Sequence, residues 1–146
     1  MEQAFVGEFE HSLDLKGRVI LPAKFRDRLE HGGYLTKVLD GCLAIYTPEE
    51  FKVRTDEMLE IARRGQLERN IARTFSAGTA EVLPDRQGRI AIPPTLRNFA
   101  RLERDLKIIG AINRIEIWNL DQWTAVNLAA EEGMRSPVPG LEAVGI

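Results

Sequence analysis

The sequence contains DLKGRVILPAKFR at residues 14–26 and, at an offset of 71 residues, DRQGRIAIPPTLR at residues 85–97. The aspartate, the glycine, the arginine directly after the glycine, the proline and the final arginine are identical, and the two copies align without a gap. Further along, CLAIY at residues 42–46 matches RIEIW at residues 114–118 with one residue inserted. Five identities in thirteen positions, followed by an ordered continuation, indicate an internal duplication.

Each copy begins with the pattern Asp-x-x-Gly-Arg, which is typical of a turn. Aspartate accepts hydrogen bonds from backbone groups ahead of it, and glycine adopts a positive φ without strain. A short strand is expected to follow. Its alternation places Val19 and Leu21 on an apolar face, with Arg18 and Ile20 on the opposite face.

A proline follows the strand in each copy, at Pro22 and at Pro93. Proline is tolerated at the first position of a helix, so we predict short helices over residues 23–29 and 95–102. Two further strands are expected in each half. They are predicted at residues 34–39 and 43–46, and at residues 106–110 and 114–118.

A helix start follows the last strand of each half. Thr47 precedes Pro48 and two glutamates, which favours a capped helix over residues 48–64, with a further piece at 67–75. Asn119 is a candidate cap for a second helix. The mixed charges of residues 49–73 are typical of a solvated amphipathic helix, and the chain from residue 136 is expected to be loose.

Charge is unevenly distributed along a chain whose formal net charge is −2. Residues 14–28 carry five bases and two acids, and so do residues 85–104. Local clusters of this kind attract anions whatever the total charge. No apolar stretch approaches the roughly 18 residues that would span a bilayer, and the single cysteine fits a reducing cytoplasm, so we expect a cytoplasmic protein without membrane contact.

The paired motifs Asp14-x-x-Gly17-Arg18 and Asp85-x-x-Gly88-Arg89, each followed by a proline, resemble those of the MraZ family, which belongs to the AbrB-like swapped-hairpin proteins. The resemblance implies an α+β fold in which two pseudo-symmetric lobes form one small β-barrel with flanking helices. We divide the chain into a first repeat (5–51), a connecting helical segment (52–78), a second repeat (79–124) and a C-terminal helix with a loose tail (125–146).

The same resemblance implies a function. Family members form rings, associate with the nucleoid and bind G-rich direct repeats in double-stranded promoter DNA, upstream of a division and cell-wall operon that includes their own gene. Repression of that operon is the default expectation. The family signature Asp-x-x-x-Arg falls on Asp14 to Arg18 and on Asp85 to Arg89. Lys16 and Lys24 of the first copy are replaced by glutamine and threonine in the second, which makes the second motif less basic.

Two sets of residues follow as candidates for the site. Arginine meets guanine or phosphate with two hydrogen bonds, and lysine adds charge toward the phosphate backbone. The predicted DNA-binding residues are Lys16, Arg18, Lys24, Arg26, Arg86 and Arg89. The predicted structural residues of the motif are Asp14, Gly17, Pro22, Asp85, Gly88 and Pro93.

Alternative roles remain open for several of these side chains. Each aspartate is expected to pair with its arginine and brace the turn, since a carboxylate near phosphate is repulsive. Arg26 and Arg97 either bind phosphate or tie a helix to the neighbouring lobe. The arginines could also serve contacts between subunits of a structural or partner-binding oligomer.

Catalysis has little support in the sequence. His11 and His31 are the only histidines, and neither belongs to a metal-binding motif. Cys42 lies in an apolar strand-like segment, which favours an inert core thiol over a nucleophile. We therefore expect no enzyme activity, no cofactor, no metal and no small-molecule substrate.

Overall fold

Eight strands and five helices form along residues 3–146, the part of the chain that the computed structural model describes. The strands are β1 (Glu8–Ser12), β2 (Arg18–Ile20), β3 (Gly33–Lys37), β4 (Leu43–Tyr46), β5 (Ala80–Val82), β6 (Arg89–Ala91), β7 (Asp105–Gly110) and β8 (Ile115–Asn119). The helices are α1 (Ala23–Arg26), α2 (Pro48–Ala62), α3 (Gln66–Ala77), α4 (Pro94–Phe99) and α5 (Leu120–Gly133). Short 3-10 turns lie at Asp27–Leu29, Leu39–Gly41 and Glu142–Val144.

The first strand of each repeat pairs with the other repeat. β1 lies antiparallel to β7, and β5 lies antiparallel to β3. β2 pairs antiparallel with β6, its counterpart in the second copy. The six-stranded sheet has the order β1-β7-β8-β4-β3-β5, and β2 with β6 forms a separate two-stranded ribbon. Strands of the two repeats therefore pair with each other in both the sheet and the ribbon.

The predicted α+β class and the duplication are confirmed. The six-stranded sheet is not closed by hydrogen bonds between β1 and β5 within the described part of the chain. The fold remains compatible with a small barrel, since β1 of the sheet also contacts β2 of the ribbon.

One hydrophobic core serves both repeats. The alternation predicted for the ribbon is observed, because Val19, Leu21, Ile90 and Ile92 are all buried. The same cluster contains Phe25 of α1, together with Leu96 of α4 and residues of β3, β4, β7 and β8. Neither repeat therefore has a core of its own.

The helical segments agree with their predicted caps. The Thr47 hydroxyl accepts a hydrogen bond from the backbone N–H of Glu50, at 3.3 Å, and the Asn119 side chain accepts one from the N–H of Gln122, at 3.0 Å. α2 and α3 form a hairpin that is held on β3 by aromatic contacts. The ring of Phe51 stacks on Tyr34, with 4.2 Å between centroids, and on Phe75, with 5.8 Å.

Some elements differ from their predicted bounds. The helix predicted over residues 23–29 ends at Arg26 and continues as a 3-10 turn. α4 stops at Phe99, since Arg101 adopts a left-handed φ of 55° that a helix does not accommodate. β1 and β5 were not predicted, because β1 contains one large apolar residue and β5 has three residues. No helix among residues 3–146 has the length and apolar character needed to cross a bilayer.

Substitution of a core residue of the ribbon tests this assignment. Leu21 is 0% exposed and faces the shared core, whereas neighbouring Ile20 is 46% exposed. We expect Leu21→Ala to lower the free energy of unfolding by about 2–5 kcal/mol and Ile20→Ala by less than about 1 kcal/mol. Urea unfolding followed by circular dichroism measures both. Equal effects of the two variants would contradict the inward orientation of Leu21.

Candidate nucleic-acid interface

The first corner, residues 14–18, is organised around the carboxylate of Asp14. Oδ1 accepts hydrogen bonds from the backbone N–H groups of Lys16 and Arg18, both at 2.9 Å, and Oδ2 accepts one from Nε of Arg18 at 2.8 Å. The N–H of Gly17 donates to the Asp14 carbonyl at 3.0 Å. Gly17 has a φ of 76°, which glycine adopts without the steric cost that a Cβ would add.

The second corner, residues 85–89, repeats this geometry. Asp85 Oδ1 accepts from the N–H groups of Gln87 and Arg89 at 2.9 Å each, and Oδ2 accepts from Arg89 Nε at 2.8 Å. Gly88 has a φ of 81°. The predicted bracing role of both aspartates is therefore observed, and the two corners present their arginines in the same way.

These hydrogen bonds also change the titration of the carboxyls. The backbone N–H of Arg18 is the largest cause that holds the pKa of Asp14 below its ordinary value, and the side chain of Arg18 contributes in the same direction. Arg89 has the same effect on the pKa of Asp85. Both carboxylates are consequently charged at neutral pH and remain partners of their arginines.

These contacts hold Arg18 and Arg89 in place but occupy only part of each guanidinium. Their side chains are 30% and 27% exposed. Each uses Nε on its aspartate, and the terminal Nη atoms make no hydrogen bond to any other residue between 3 and 146. Each corner thus holds a guanidinium in a fixed place with donors available to a ligand.

The ribbon places the two arginines on one face. Arg18 lies opposite Ala91, and Arg89 lies opposite Ile20. Directly opposite residues share a face, so these four side chains lie outward while the buried Val19 and Ile90 lie inward. Diagonal neighbours of this kind are usually about 7–8 Å apart. The outer face is therefore narrow, with one arginine toward each end.

Each corner also receives an arginine from the other repeat. Arg26, at the end of α1, donates from Nη1 to the carbonyl of Gln87 at 3.2 Å and lies against Gly88. Arg97, on α4, donates from Nη1 to the carbonyl of Ile92 and lies against Gly17. A Cβ built on Gly17 would come within 2.0 Å of Arg97 Nη1, and one on Gly88 within 1.6 Å of Arg26 Nη1.

The prolines of the motif initiate the helices that carry these arginines. The Pro22 carbonyl accepts from the N–H groups of Phe25 and Arg26, at 2.9 and 3.1 Å. The Pro93 carbonyl accepts in the same way from Leu96 and Arg97, both at 3.0 Å. Both prolines occupy the cap position, one residue before the helix rather than its first residue.

The remaining basic candidates occupy two kinds of position. Lys16 and Arg86 are exposed at the tips of the first and second corners. Arg86 takes the place equivalent to Leu15, so it restores the positive charge that the second corner loses at Gln87. Lys24 is not at a corner, since its ammonium lies over the rings of Phe9 and Phe25, at 5.3 and 5.8 Å from their centroids.

The cysteine that was weighed as a possible nucleophile lies in unreactive surroundings. Cys42 is buried, and burial is the main cause that raises the pKa of its thiol to about 12. A thiol of this kind is a poor nucleophile at neutral pH. Residues 3–146 contain no group of three or more histidine, cysteine, aspartate or glutamate side chains arranged to hold a metal ion.

The chain matches one protein family along most of its length. The family model described as "MraZ protein, putative antitoxin-like" matches twice, at residues 4–74 and 75–137. The chain is 41% identical to "Transcriptional regulator MraZ" of Natranaerobius thermophilus, covering 90% of this chain and 92% of that protein. It is 44% identical to the protein of the same name from Acetivibrio thermocellus, with 87% and 92% covered, and 41% identical to that of Cutibacterium acnes, with 88% and 90% covered.

Fold and site together define a duplicated protein with exchanged strands and two equivalent Asp–Arg corners on one ribbon. The two family matches coincide with the internal duplication, and the identities extend over most of the chain. The chain belongs to the MraZ family.

Arg97 is the corner residue that the sequence analysis left outside the predicted DNA-binding set. The repeat itself contained the signal, because the last residue of both thirteen-residue copies is arginine and the offset is the same as for Arg18 and Arg89. What the sequence did not contain was the antiparallel pairing of the copies. That pairing sends the arginine of each copy to the opposite corner.

Adding a methyl group to a turn glycine tests the corner. Gly17→Ala puts a Cβ at positive φ and into the guanidinium of Arg97, so we expect it to destabilise the fold by at least about 1 kcal/mol. Gly133→Ala is the matched control, since its Cβ would meet nothing within 4 Å on helix α5. We expect that control to be neutral or stabilising by up to about 1 kcal/mol. Thermal unfolding distinguishes the two, and an unchanged melting temperature of Gly17→Ala would contradict the turn geometry.

The lowered pKa values of Asp14 and Asp85 predict an acid-sensitive fold. A carboxyl whose pKa is lowered by folding stabilises the protein above its unfolded pKa of about 3.9, and this contribution is lost as the pH falls through the folded value. We expect carboxyl NMR signals of both residues to titrate with midpoints below about 3.9. Asp14→Asn should make stability less dependent on pH below about 4, the ordinary pKa of an aspartate. A midpoint at or above the peptide value would refute the hydrogen-bonded carboxylate.

Proposed function

We propose that this chain is a DNA-binding transcriptional regulator that contacts double-stranded DNA through the outer face of the β2–β6 ribbon. The observation that carries the proposal is the pair of corners in which an aspartate holds an arginine by Nε and leaves its terminal amino groups unbonded. The names of the related proteins, which are transcriptional regulators, support the same assignment.

The dimensions and chemistry of the ribbon fit this role. A two-stranded antiparallel ribbon is narrow enough to enter the major groove, where arginine can meet guanine O6 and N7 with two hydrogen bonds. Exposed Lys16 and Arg86 at the corner tips lie where they would approach the phosphate backbone. The proposed DNA contacts are Lys16, Arg18, Lys24, Arg26, Arg86 and Arg89, with Asp14, Gly17, Pro22, Asp85, Gly88 and Pro93 as their supports.

The finer parts of the proposal extend the family resemblance. The target would be G-rich direct repeats upstream of the division and cell-wall operon that contains the protein's own gene, and binding would repress it in the cytoplasm, at the nucleoid. The proposed domain organisation consists of two repeats, 5–51 and 79–124, with the helical segment 52–78 between them and residues 125–146 after them.

We also propose that the protein acts as a ring of identical subunits. Exposed apolar side chains support subunit contacts: Leu39, Ile71 and Phe99 line a groove of about 480 Å³ beside the α2–α3 hairpin, and Leu39 is 87% exposed. A ring would repeat the same ribbon at regular intervals. Several weak contacts to successive repeats would then combine into tight binding.

Gel-shift titration tests DNA binding directly. The probe is double-stranded DNA from the region upstream of the gene, and the control is a scrambled duplex of the same length and composition. We expect tighter binding to the native duplex by at least roughly tenfold, since specific affinities usually exceed non-specific ones by more than that. Equal affinity for both duplexes would refute sequence-specific regulation.

Arg18→Ala tests the ribbon as the contact surface. It removes a guanidinium whose terminal donors are unbonded, so we expect binding to the native duplex to weaken by about tenfold or more. Arg69→Ala is the matched control, because Arg69 is an exposed arginine of α3 outside both corners. Size-exclusion chromatography with light scattering accompanies the titration. If Arg18→Ala dissociates the oligomer instead, the arginine serves subunit contacts and the ribbon assignment fails.

A further inference from the structure

The two kinds of corner arginine differ in their charge environment. Arg18 and Arg89 each form an ion pair at 2.8 Å with the aspartate of their own turn, so each of these pairs is close to neutral. Arg26 and Arg97 have no carboxylate within 4.0 Å among residues 3–146. The positive charge beside each turn glycine that forms no ion pair therefore comes from the opposite repeat, and Arg26 shares a pocket with the acidic residues Asp27, Glu30 and Asp85.

The hydrogen bonds of these two residues leave most of their donors unused. A guanidinium has five N–H donors. Arg26 uses one nitrogen, on the Gln87 carbonyl, and Arg97 uses one, on the Ile92 carbonyl. Both residues are half-buried, and Nε and Nη2 of each make no hydrogen bond within the described part of the chain.

Partial burial makes this arrangement well suited to one class of ligand. A half-buried cation without a counter-charge is attracted strongly by an anion, because water screens it less than it screens an exposed lysine. Phosphate oxygens accept parallel hydrogen bonds from a guanidinium fork. The glycine beneath each guanidinium makes room for it, since a Cβ at that position would overlap the guanidinium.

The register of the ribbon explains why each of these arginines lies at the corner of the opposite repeat. The N–H of Leu21 donates to the Gly88 carbonyl and the N–H of Ile92 donates to the Gly17 carbonyl, both at 2.9 Å. The end of each strand is thereby joined to the turn glycine of the other repeat. Pro22 and Pro93 then start the helices that place Arg26 and Arg97 beside those glycines.

We propose that Arg97 and Arg26 also bind phosphate, each at the corner of the opposite repeat. Arg97 acts at the first corner beside Arg18, and Arg26 acts at the second corner beside Arg89. Arg18 and Arg89 then face the base edges. This assignment rests on the proposed DNA-binding function. It adds Arg97 to the site, and it places Arg26, a residue of the first repeat, at the corner of the second repeat.

The dependence of binding on salt separates the two roles. Loss of one phosphate contact lowers the slope of log K against log[salt] by about 0.9 for each subunit that engages DNA. We expect Arg97→Gln and Arg26→Gln each to show this decrease, together with weaker binding to native and scrambled duplexes alike. Arg69→Gln is the control with the same change of charge on α3, and it should keep the wild-type slope.

Double variants test which arginines act at the same corner. Arg18→Gln and Arg97→Gln act at one corner, so their effects on affinity should depart from additivity by roughly threefold or more. Arg18→Gln and Arg26→Gln act at different corners, and their effects should add. Additivity for the first pair with coupling for the second would overturn the assignment of arginines to corners.

A direct measurement on the wild-type protein avoids dependence on the folding of variants. In protein labelled with nitrogen-15 on arginine, the Nε signals of Arg26 and Arg97 should shift on addition of the native duplex. Unchanged Nε signals, or wild-type salt slopes in both glutamine variants, would overturn the proposal while leaving DNA binding intact. Failure of the wild-type protein to bind DNA in the same titration would overturn the proposed function and this assignment together.

Discussion

Antiparallel pairing of β2 with β6 is the constraint on which the rest of the structure depends. It brings the two copies of one motif together head to tail, with Val19 against Ile90 at the centre of the pairing and facing the shared core. The same pairing puts both arginines of the ribbon on its outer face. Because each strand ends beside the turn glycine of the other copy, every corner is built from both repeats.

Each corner combines an internal support with hydrogen-bond donors that face outward. Asp14 and Asp85 satisfy the backbone donors of their turns and hold a guanidinium by a single nitrogen. A bidentate ion pair would have used the terminal amino groups as well. The turn is therefore held together by its own hydrogen bonds, and the arginine is already ordered. The proposed binding to DNA would then require little further ordering.

The sequence predicted the duplicated motif, its turns, its buried faces and both helix caps, because these features depend on local chemistry and on alternation along the chain. It did not predict β1 or β5, whose pairing partners lie in the opposite repeat. For the same reason it left open whether Arg97 contacts phosphate or the other lobe, and it did not place Arg26, a predicted DNA contact, at the corner of the other repeat. Their neighbours, Gly88 and Gly17, are distant in sequence and become adjacent only when the ribbon forms.

The presence of both repeats in a single chain has a consequence for the orientation of the proposed complex with DNA. Two separate copies of one half, related by a twofold axis, would present identical corners and match only a palindromic site. Fusion into one chain allowed the halves to diverge, and the tip of the first corner now holds Leu15 and Lys16 where the second holds Arg86 and Gln87. On the proposed function, unlike corners would give the ribbon a polarity along the double helix, which would suit sites arranged as tandem copies in one orientation.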